Sequence, residues 1–141
     1  MSDYEANAVS ARLAFAVGRL NRRLAGATGG LSHGLLSALA TIAKSGPMRL
    51  AEVAQIENVS APSVTRVIAE LEHRGLVARS PDATDGRAFL IQATDAGMDA
   101  VTRARAARAQ ATATLLEILD ESELATIEAA LPALERVFGQ A

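Results

Sequence analysis

The sequence of 141 residues has no cysteine and no tryptophan, and its only aromatic residues are one tyrosine and three phenylalanines. The lack of cysteine excludes disulfide bonds, thiolate metal sites and cysteine-based redox sensing. The two histidines, His33 and His73, lie far apart in the sequence, which does not favour a metal site. We therefore expect neither a metal nor a cofactor.

Sequence signals for export, membrane insertion and catalysis are also lacking. No segment resembles a signal peptide or an uninterrupted apolar span, so the expected location is cytoplasmic, without a membrane partner. No serine lies in a Gly-x-Ser-x-Gly elbow, and the glycine-rich stretch Gly26–Gly30 lacks the lysine of a phosphate-binding loop. The sequence thus predicts a protein that is not an enzyme.

A large charge of one sign is missing as well, because the formal net charge is only −2. A strongly basic domain would indicate nucleic-acid binding, and the net charge of this chain gives no such indication. The arginines are instead concentrated near the N-terminus and around residues 103–108, whereas acid is concentrated in the last part of the chain. Any DNA affinity must therefore depend on a few positioned arginines and on helix N-termini.

Half of the residues are hydrophobic, and alanine and leucine predominate among them, which favours closely packed helices. Helical spacing predicts a first helix from about Tyr4 to Ala25. Three later helices are expected to begin at capping residues, and Pro132 is expected to interrupt and kink the last of them. The predicted caps are Ser32, Thr94 and Asp120, the last of these forming a capping box with Glu123.

The most informative segment runs from Arg49 to Thr94. Its first part predicts a short helix, a turn at Asn58, and a second helix that begins at the N-cap Ser60 and ends at Gly75. The second helix carries an apolar stripe for burial, which consists of Val64, Val67, Ile68 and Leu71.

Two runs suited to strands follow this pair of helices, Leu76–Arg79 and Ala88–Ala93. The Asp85-Gly86 dipeptide between them is a strong turn signal, so we expect a hairpin with a projecting tip. Arg87 is the cation placed to use that projection, and Asp85 is expected to hold its guanidinium in a fork. A helix-turn-helix followed by such a hairpin is typical of winged-helix proteins, whose second helix enters the DNA major groove.

The sequence resembles the MarR family of transcriptional regulators over nearly the whole chain. The resemblance rests on Pro-Ser-Val-Thr-Arg at 62–66, Leu-Glu at 71–72, Gly-Leu-Val at 75–77, the Asp82…Asp85-Gly86-Arg87 wing, and Ala93-Thr94…Gly97. It implies a mainly α winged helix-turn-helix fold with a small β-hairpin wing and terminal helices that form a dimerisation region. It also implies a homodimeric repressor that binds a pseudo-palindromic operator in double-stranded DNA and, in many members of the family, releases it when a small ligand binds.

Two positions depart from the family pattern. Thr84 and Gly86 stand where another wing cation is often found, which predicts weaker or shallower minor-groove contact. Leu35 stands where many relatives place a polar side chain, so the ligand chemistry of the family does not transfer directly.

The candidate DNA contacts follow from this placement. In the major groove we expect Ser60, Pro62, Ser63, Thr65 and Arg66, although a solvated helix face is the ordinary alternative for them. In the flanking minor groove we expect Arg87, held by Asp85. Arg49 and Arg74 are weaker candidates for backbone contact, balanced evenly against a role as solvated charges.

The outer helices predict dimerisation. We expect one domain over 1–141, in which about 31–93 form the DNA-binding lobe and about 4–25 and 95–139 form dimerisation helices. Apolar residues recur there at intervals of three and four, which produces a seam that needs a partner helix. This seam consists of Leu13, Val17, Leu20, Leu124, Ile127, Leu131, Leu134 and Phe138.

Other functions remain open at this stage. A winged helix that binds a protein partner instead of DNA is compatible with the small net charge and the sparse wing. A small helical enzyme would need convergent titratable groups, and none can be assembled. A pocket between the terminal helices and the winged lobe would suit an apolar or aromatic effector, because the sequence offers it few polar fixtures.

Overall fold

Six helices and one antiparallel hairpin make up the part of the chain described in the computed structural model, residues 3–139. This confirms the predicted mainly α winged-helix fold. No helix within 3–139 is long and apolar enough to cross a membrane. The elements are α1 (Asp3–Arg23), α2 (His33–Ser45), α3 (Leu50–Glu57), α4 (Ala61–His73), β1 (Val77–Asp82), β2 (Asp85–Ala93), α5 (Asp95–Leu116) and α6 (Glu121–Phe138).

The chain divides into two compact units, one ending at Arg108 and the other beginning at Ala109. The core of the first unit lies where α2, α3, α4 and the hairpin meet. Its centre is inaccessible to solvent at Leu39, Val53, Ile68, Leu71 and Ile91, each of which is 0% exposed. The apolar stripe of α4 is therefore buried as predicted, except that Val67 is only half-buried.

The predicted helix starts are confirmed by their hydrogen bonds. Ser32 and Ser60 each accept a bond from the backbone N–H three residues on, at 3.3 Å in both cases. Thr94 accepts one at 3.1 Å at the start of α5. Asp120 and Glu123 exchange bonds of 2.9 and 3.0 Å, which complete the predicted capping box of α6.

The two turns that bound α4 also have the predicted geometry. Asn58 adopts the left-handed conformation, with φ 52° and ψ 48°, between α3 and α4. Gly75 has φ +72° after α4. The Gly75 N–H donates to the Glu72 carbonyl at 3.0 Å and the Leu76 N–H to the Leu71 carbonyl at 2.9 Å. This pair of bonds is the Schellman motif, which turns the chain sharply into β1.

The hairpin is longer than predicted and turns at a different place. Its strands extend to Asp82 and Asp85, so the turn consists of Ala83 and Thr84, and Asp85-Gly86 belongs to β2. The Asp82 carboxylate accepts bonds from the Thr84 backbone N–H at 2.9 Å and from its hydroxyl at 2.7 Å. An aspartate side chain that bonds to the backbone two residues on stabilises a turn by itself. The chain can therefore turn here without a glycine.

The start of α5 is attached directly to the end of the α4 turn. The Thr94 N–H donates to the Leu76 carbonyl at 3.1 Å, and the Thr94 hydroxyl donates to the Gly75 carbonyl at 2.7 Å. Gly97 is buried here, and a Cβ on it would lie 2.0 Å from the Leu76 carbonyl oxygen. Only glycine therefore allows α5 to approach the α4–β1 connection so closely.

Two boundary expectations are wrong. The first helix ends at Arg23, and Leu24, just beyond it, is buried. Pro132 does not interrupt α6, which runs from Glu121 to Phe138 with helical geometry on both sides of the proline. This exposed proline removes only one backbone donor from the helix. In α3, Val53 is fully buried, Leu50 and Ala54 pack against the core while partly buried, and Ile56 is 55% exposed.

Candidate nucleic-acid interface

The second helix of the helix-turn-helix, α4, corresponds to the recognition helix of winged-helix proteins. One of its sides is buried and the opposite side is exposed. Val64, Ile68 and Leu71 are at most 1% exposed and fix the helix against α2 and α3. Pro62, Thr65 and Arg66 project into solvent from the opposite side, while Ser60 is exposed at the N-cap and Ser63 is half-buried. The five residues predicted for the major groove therefore lie together, at the N-terminal end of the helix.

Two hydroxyls at this end are already engaged within the helix. The Ser60 hydroxyl accepts from the Ser63 N–H and donates to the Ser63 hydroxyl at 2.9 Å. The Thr65 hydroxyl donates to the carbonyl of Ala61 at 2.8 Å. By contrast, no hydrogen bond or ion pair among residues 3–139 engages the guanidinium of Arg66.

The predicted fork between Asp85 and Arg87 is wrong. The Asp85 carboxylate accepts a bond from the backbone N–H of Arg87 at 3.1 Å, not from its guanidinium. The carboxylate holds the local backbone instead. Both side chains are exposed, and the described residues offer no ion pair to the Arg87 guanidinium.

The wing carboxylate that holds a guanidinium is Asp82, a pairing that the sequence did not reveal. Its Oδ2 accepts from Arg49 at the N-cap of α3, at 2.8 Å from Nε and 2.6 Å from Nη2. Asp82 is only 6% exposed, which is unusual for a charged side chain, whereas its partner Arg49 is 47% exposed. The bonds from Thr84, together with the one from Arg49, lower the pKa of the Asp82 carboxyl to about 2.

Two more arginines near the recognition helix have carboxylate partners. Arg74, at the end of α4, pairs with Glu70 at 2.7 Å and also donates to the carbonyl of Gly30 at 3.4 Å. Arg79 on β1 pairs with Glu72 at 2.8 Å. This ion pair links the wing to α4. The Arg79 guanidinium carbon also lies 4.3 Å from the ring centre of Phe89 on β2, a cation–π contact between the two strands of the wing.

The arginines of the lobe thus fall into two groups. Arg49, Arg74 and Arg79 are bound to carboxylates that position the wing and the end of α4. Arg66 and Arg87 have no such partner among the described residues, so their full charge is available to an external anion. Of the predicted contacts, the two strongest cationic candidates are therefore those that the structure leaves unpaired.

The seam residues on the terminal helices are largely uncovered in the single chain. On α1, Val17 and Leu20 are exposed and Leu13 is half-buried. On α6, the exposed members are Leu124, Ile127, Leu131 and Phe138, with Leu134 half-buried.

A cavity of about 220 Å³ lies between α2 and α5 within the first unit. Its walls are mainly apolar, but His33, Arg105 and Arg108 also line it, which is more polar than the sequence suggested. The remaining lining residues are Leu36, Ser37, Ala40, Val101 and Ala104.

The comparisons with known proteins agree with this geometry. The MarR family model matches residues 31–89. An HTH-type transcriptional regulator of Mycobacterium tuberculosis is 41% identical over 113 residues, which is 79% of each chain. A MarR family protein from Bacillus stearothermophilus superposes with a TM-score of 0.80 at 18% identity, over 99% of each chain. A mutant of S. aureus MepR bound to an oligodeoxyribonucleotide superposes with a TM-score of 0.69 at 18% identity, over 92% of this chain and 97% of that one.

The two solved structures share the arrangement of helices and wing, and the mycobacterial protein adds similarity of sequence over most of both chains. The fold, the motifs of the lobe and the sequence relative all lead to one assignment. The chain belongs to the MarR family of winged helix-turn-helix transcriptional regulators.

Proposed function

We propose that the protein is a homodimeric repressor that binds a pseudo-palindromic operator in duplex DNA. The observation that carries this proposal is the exposed N-terminal end of α4, where Arg66 stands unpaired beside Pro62 and Thr65. A helix fixed by one buried side and polar on the other is the element that winged-helix proteins insert into the major groove. The oligonucleotide bound to the MepR mutant supports DNA binding by this fold.

Within this proposal each residue predicted for the major groove and for the tip of the wing has a role. Ser60 caps the recognition helix, whose N-terminus also attracts phosphate, while Pro62, Ser63 and Thr65 line the approach to the bases. Arg66 is the residue suited to read a guanine edge. Arg87 on the exposed part of the wing reaches the flanking minor groove or its phosphates, and Asp85 fixes the backbone that carries it.

The homodimer follows from the uncovered seam. Exposed leucine and isoleucine at helical spacing on α1 and α6 are stabilised when another helix covers them. Terminal helices of two chains that pack together would place two recognition helices about one DNA turn apart, ~34 Å. Two copies would also double the small number of arginines available to the DNA.

A small effector that releases the DNA is the remaining part of the proposal. The cavity between α2 and α5 supports it, because apolar walls suit an apolar or aromatic ligand body. α5 is bonded through Thr94 to the residues that end α4, so a ligand that displaces α5 would also displace the recognition helix. A ligand acts in this way only if it binds the two arrangements with different affinity.

Selection of bound duplexes from a random DNA pool, at two salt concentrations, tests the proposal. The expected product is an inverted repeat with half-sites about one turn, ~10 bp, apart. Its affinity should fall steeply with salt, since phosphate contacts release counterions. Recovery of no sequence above background by a folded dimer would overturn DNA recognition.

The second candidate is a winged helix that binds a protein partner. The net charge of −2 and the single unpaired wing cation favour it. DNA binding that is absent or insensitive to salt would support this alternative, because a protein partner requires no counterion release.

A further inference from the structure

The position of Arg87 is not fixed by the strand ladder of the wing. The register pairs Pro81 with Phe89 and then Asp82 with Asp85, so residues 86–88 of β2 have no partner on β1. The irregular stretch bulges away from the ladder, and Arg87 lies in the middle of it. Other contacts must therefore determine how far its guanidinium extends toward DNA.

The contacts that are available converge on Asp82. Its carboxylate accepts both bonds from Thr84 in the turn and the bonds from Arg49 at the start of α3. Arg49 also donates to the Thr84 hydroxyl at 3.3 Å, which closes a ring of three side chains. The ring joins the tip of the wing to the helix-turn-helix. Asp82 is its buried member, whereas Thr84 is exposed and the Arg49 side chain is 47% exposed.

This ring is more than a turn motif. An aspartate that only formed the turn would need Thr84 alone, and its charge would be solvated. Here the carboxylate is 6% exposed and its remaining oxygen is filled by a guanidinium from residue 49, far away in the sequence. Fixing a flexible tip in this way reduces the conformational entropy that DNA binding would otherwise have to remove.

We propose that Asp82 and Arg49 are positioning residues that hold the wing against α3 and thereby present Arg87 to DNA, and that Arg49 itself does not contact a phosphate. The inference rests on the proposed function, since it assigns how the DNA-binding wing is held. For Arg49 the proposal replaces the two alternatives left open by the sequence, because its guanidinium, although 47% exposed, is bound to the Asp82 carboxylate and the Thr84 hydroxyl.

The test measures affinity for the selected operator in four proteins: wild type, Asp82→Asn, Arg87→Ala and the double variant. We expect Asp82→Asn to weaken binding about tenfold, comparable to the loss of one DNA contact. In the Arg87→Ala background the same substitution should change affinity by less than about twofold, because the residue it positions is gone. A purely structural role would weaken binding equally in both backgrounds.

Arg49→Gln provides the second variant, because it leaves the Asp82–Thr84 turn intact if Asp82→Asn fails to fold. Arg49→Gln should weaken operator binding when Arg87 is present. In the Arg87→Ala variant it should change neither the affinity nor the slope of log affinity against log salt concentration. A slope reduced by about one in that background would show a direct phosphate contact and overturn the proposal. Ser32→Ala is the matched control, because it removes a helix cap of the same lobe without touching the wing.

The outcomes separate this inference from the function on which it rests. If the wild-type protein selects no operator, the proposed function fails. If the wild type binds its operator and Asp82→Asn and Arg49→Gln bind it equally well, or if their effects are independent of Arg87, the positioning role is wrong while DNA recognition stands.

Discussion

At the scale of single residues, the lobe separates its arginines by the carboxylates beside them. An arginine with a carboxylate partner keeps its charge but has part of its hydrogen-bonding capacity occupied. Arg66 has no such partner among residues 3–139 and lies on the exposed side of the recognition helix. Its guanidinium is therefore free to bond a base edge.

Arg66→Ala should weaken operator binding by about 1–3 kcal/mol and relax the preference at one base position, because a bidentate guanine contact is lost. The measurement is a titration with the selected operator and with copies mutated at each position. Arg103→Ala is the control, because Arg103 is an exposed arginine on α5 outside the recognition helix. Equal affinities for Arg66→Ala and wild type would remove this residue from the interface.

Thr65 should contact DNA through its methyl group, because its hydroxyl proton is engaged by the Ala61 carbonyl. Thr65→Val keeps a methyl at that place and should bind within about twofold of wild type. Thr65→Ser removes the methyl and should bind about fourfold more weakly, the effect of about 0.8 kcal/mol for one buried carbon. The opposite ranking of the two variants in an operator titration would show that the hydroxyl is the group that contacts DNA.

Asp82 should also make stability depend on pH in acid. Its pKa is lowered from 3.8 to about 2 on folding, so the unfolded chain takes up its proton first as the pH falls. The stabilisation is therefore complete above pH 3.8 and is lost as the pH falls toward about 2. Urea unfolding of wild type and Asp82→Asn over this range should show their free energies converging. A difference that stays constant with pH would contradict the lowered pKa.

At the scale of elements, the sequence predicts best what depends on neighbouring residues. The caps Ser60 and Thr94 and the left-handed residues Asn58 and Gly75 act within one turn of the chain, and all four have the predicted role. In the wing, the turn predicted at Asp85-Gly86 is wrong. The chain turns at Ala83 and Thr84 instead, because the buried Asp82 carboxylate accepts hydrogen bonds from Thr84.

The contact between Asp82 and Arg49 could not be predicted for a different reason. The two residues are separated by 33 positions, and no periodicity or cap connects them. Their approach depends on the path of the chain through α3 and α4, which only the folded core fixes. The same applies to Arg79, whose partners Glu72 and Phe89 come from two other elements.

Gly97→Ala should strongly destabilise the lobe, because the new Cβ would lie 2.0 Å from the Leu76 carbonyl oxygen. Relief of that overlap requires the start of α5 to move away from the α4–β1 connection, at a cost of about 2 kcal/mol or more. Thermal and urea unfolding measure the effect. Gly18→Ala in α1 is the control, because nothing lies within 4 Å of its added Cβ, and it should be neutral or stabilising. Similar stabilities for the two variants would mean that the approach at Gly97 is not tight.

At the scale of the whole molecule, the terminal helices have apolar surface that the single chain does not cover. Periodicity alone predicted which residues form the seam, and their exposure agrees with an uncovered face. Periodicity could not predict which helix covers them, because a partner in the same chain and a partner in a second copy leave the same pattern. A substitution within the seam therefore tests the proposed homodimer directly.

Ile127→Lys should dissociate the proposed dimer, because it places a charge among apolar side chains that would lose contact with water on association. Ile127 is 38% exposed in the single chain, so the variant should keep its helix content and fold as a monomer. Sedimentation would then show half the mass, and affinity for the inverted repeat would fall, because two linked half-site contacts become independent. Ile118→Lys is the matched control, since Ile118 is 88% exposed and lies outside the seam. If Ile127→Lys remained a dimer with unchanged operator affinity, these helices would not form the interface. The two copies of α4 and of the wing would then have to be brought together by a different surface of the protein.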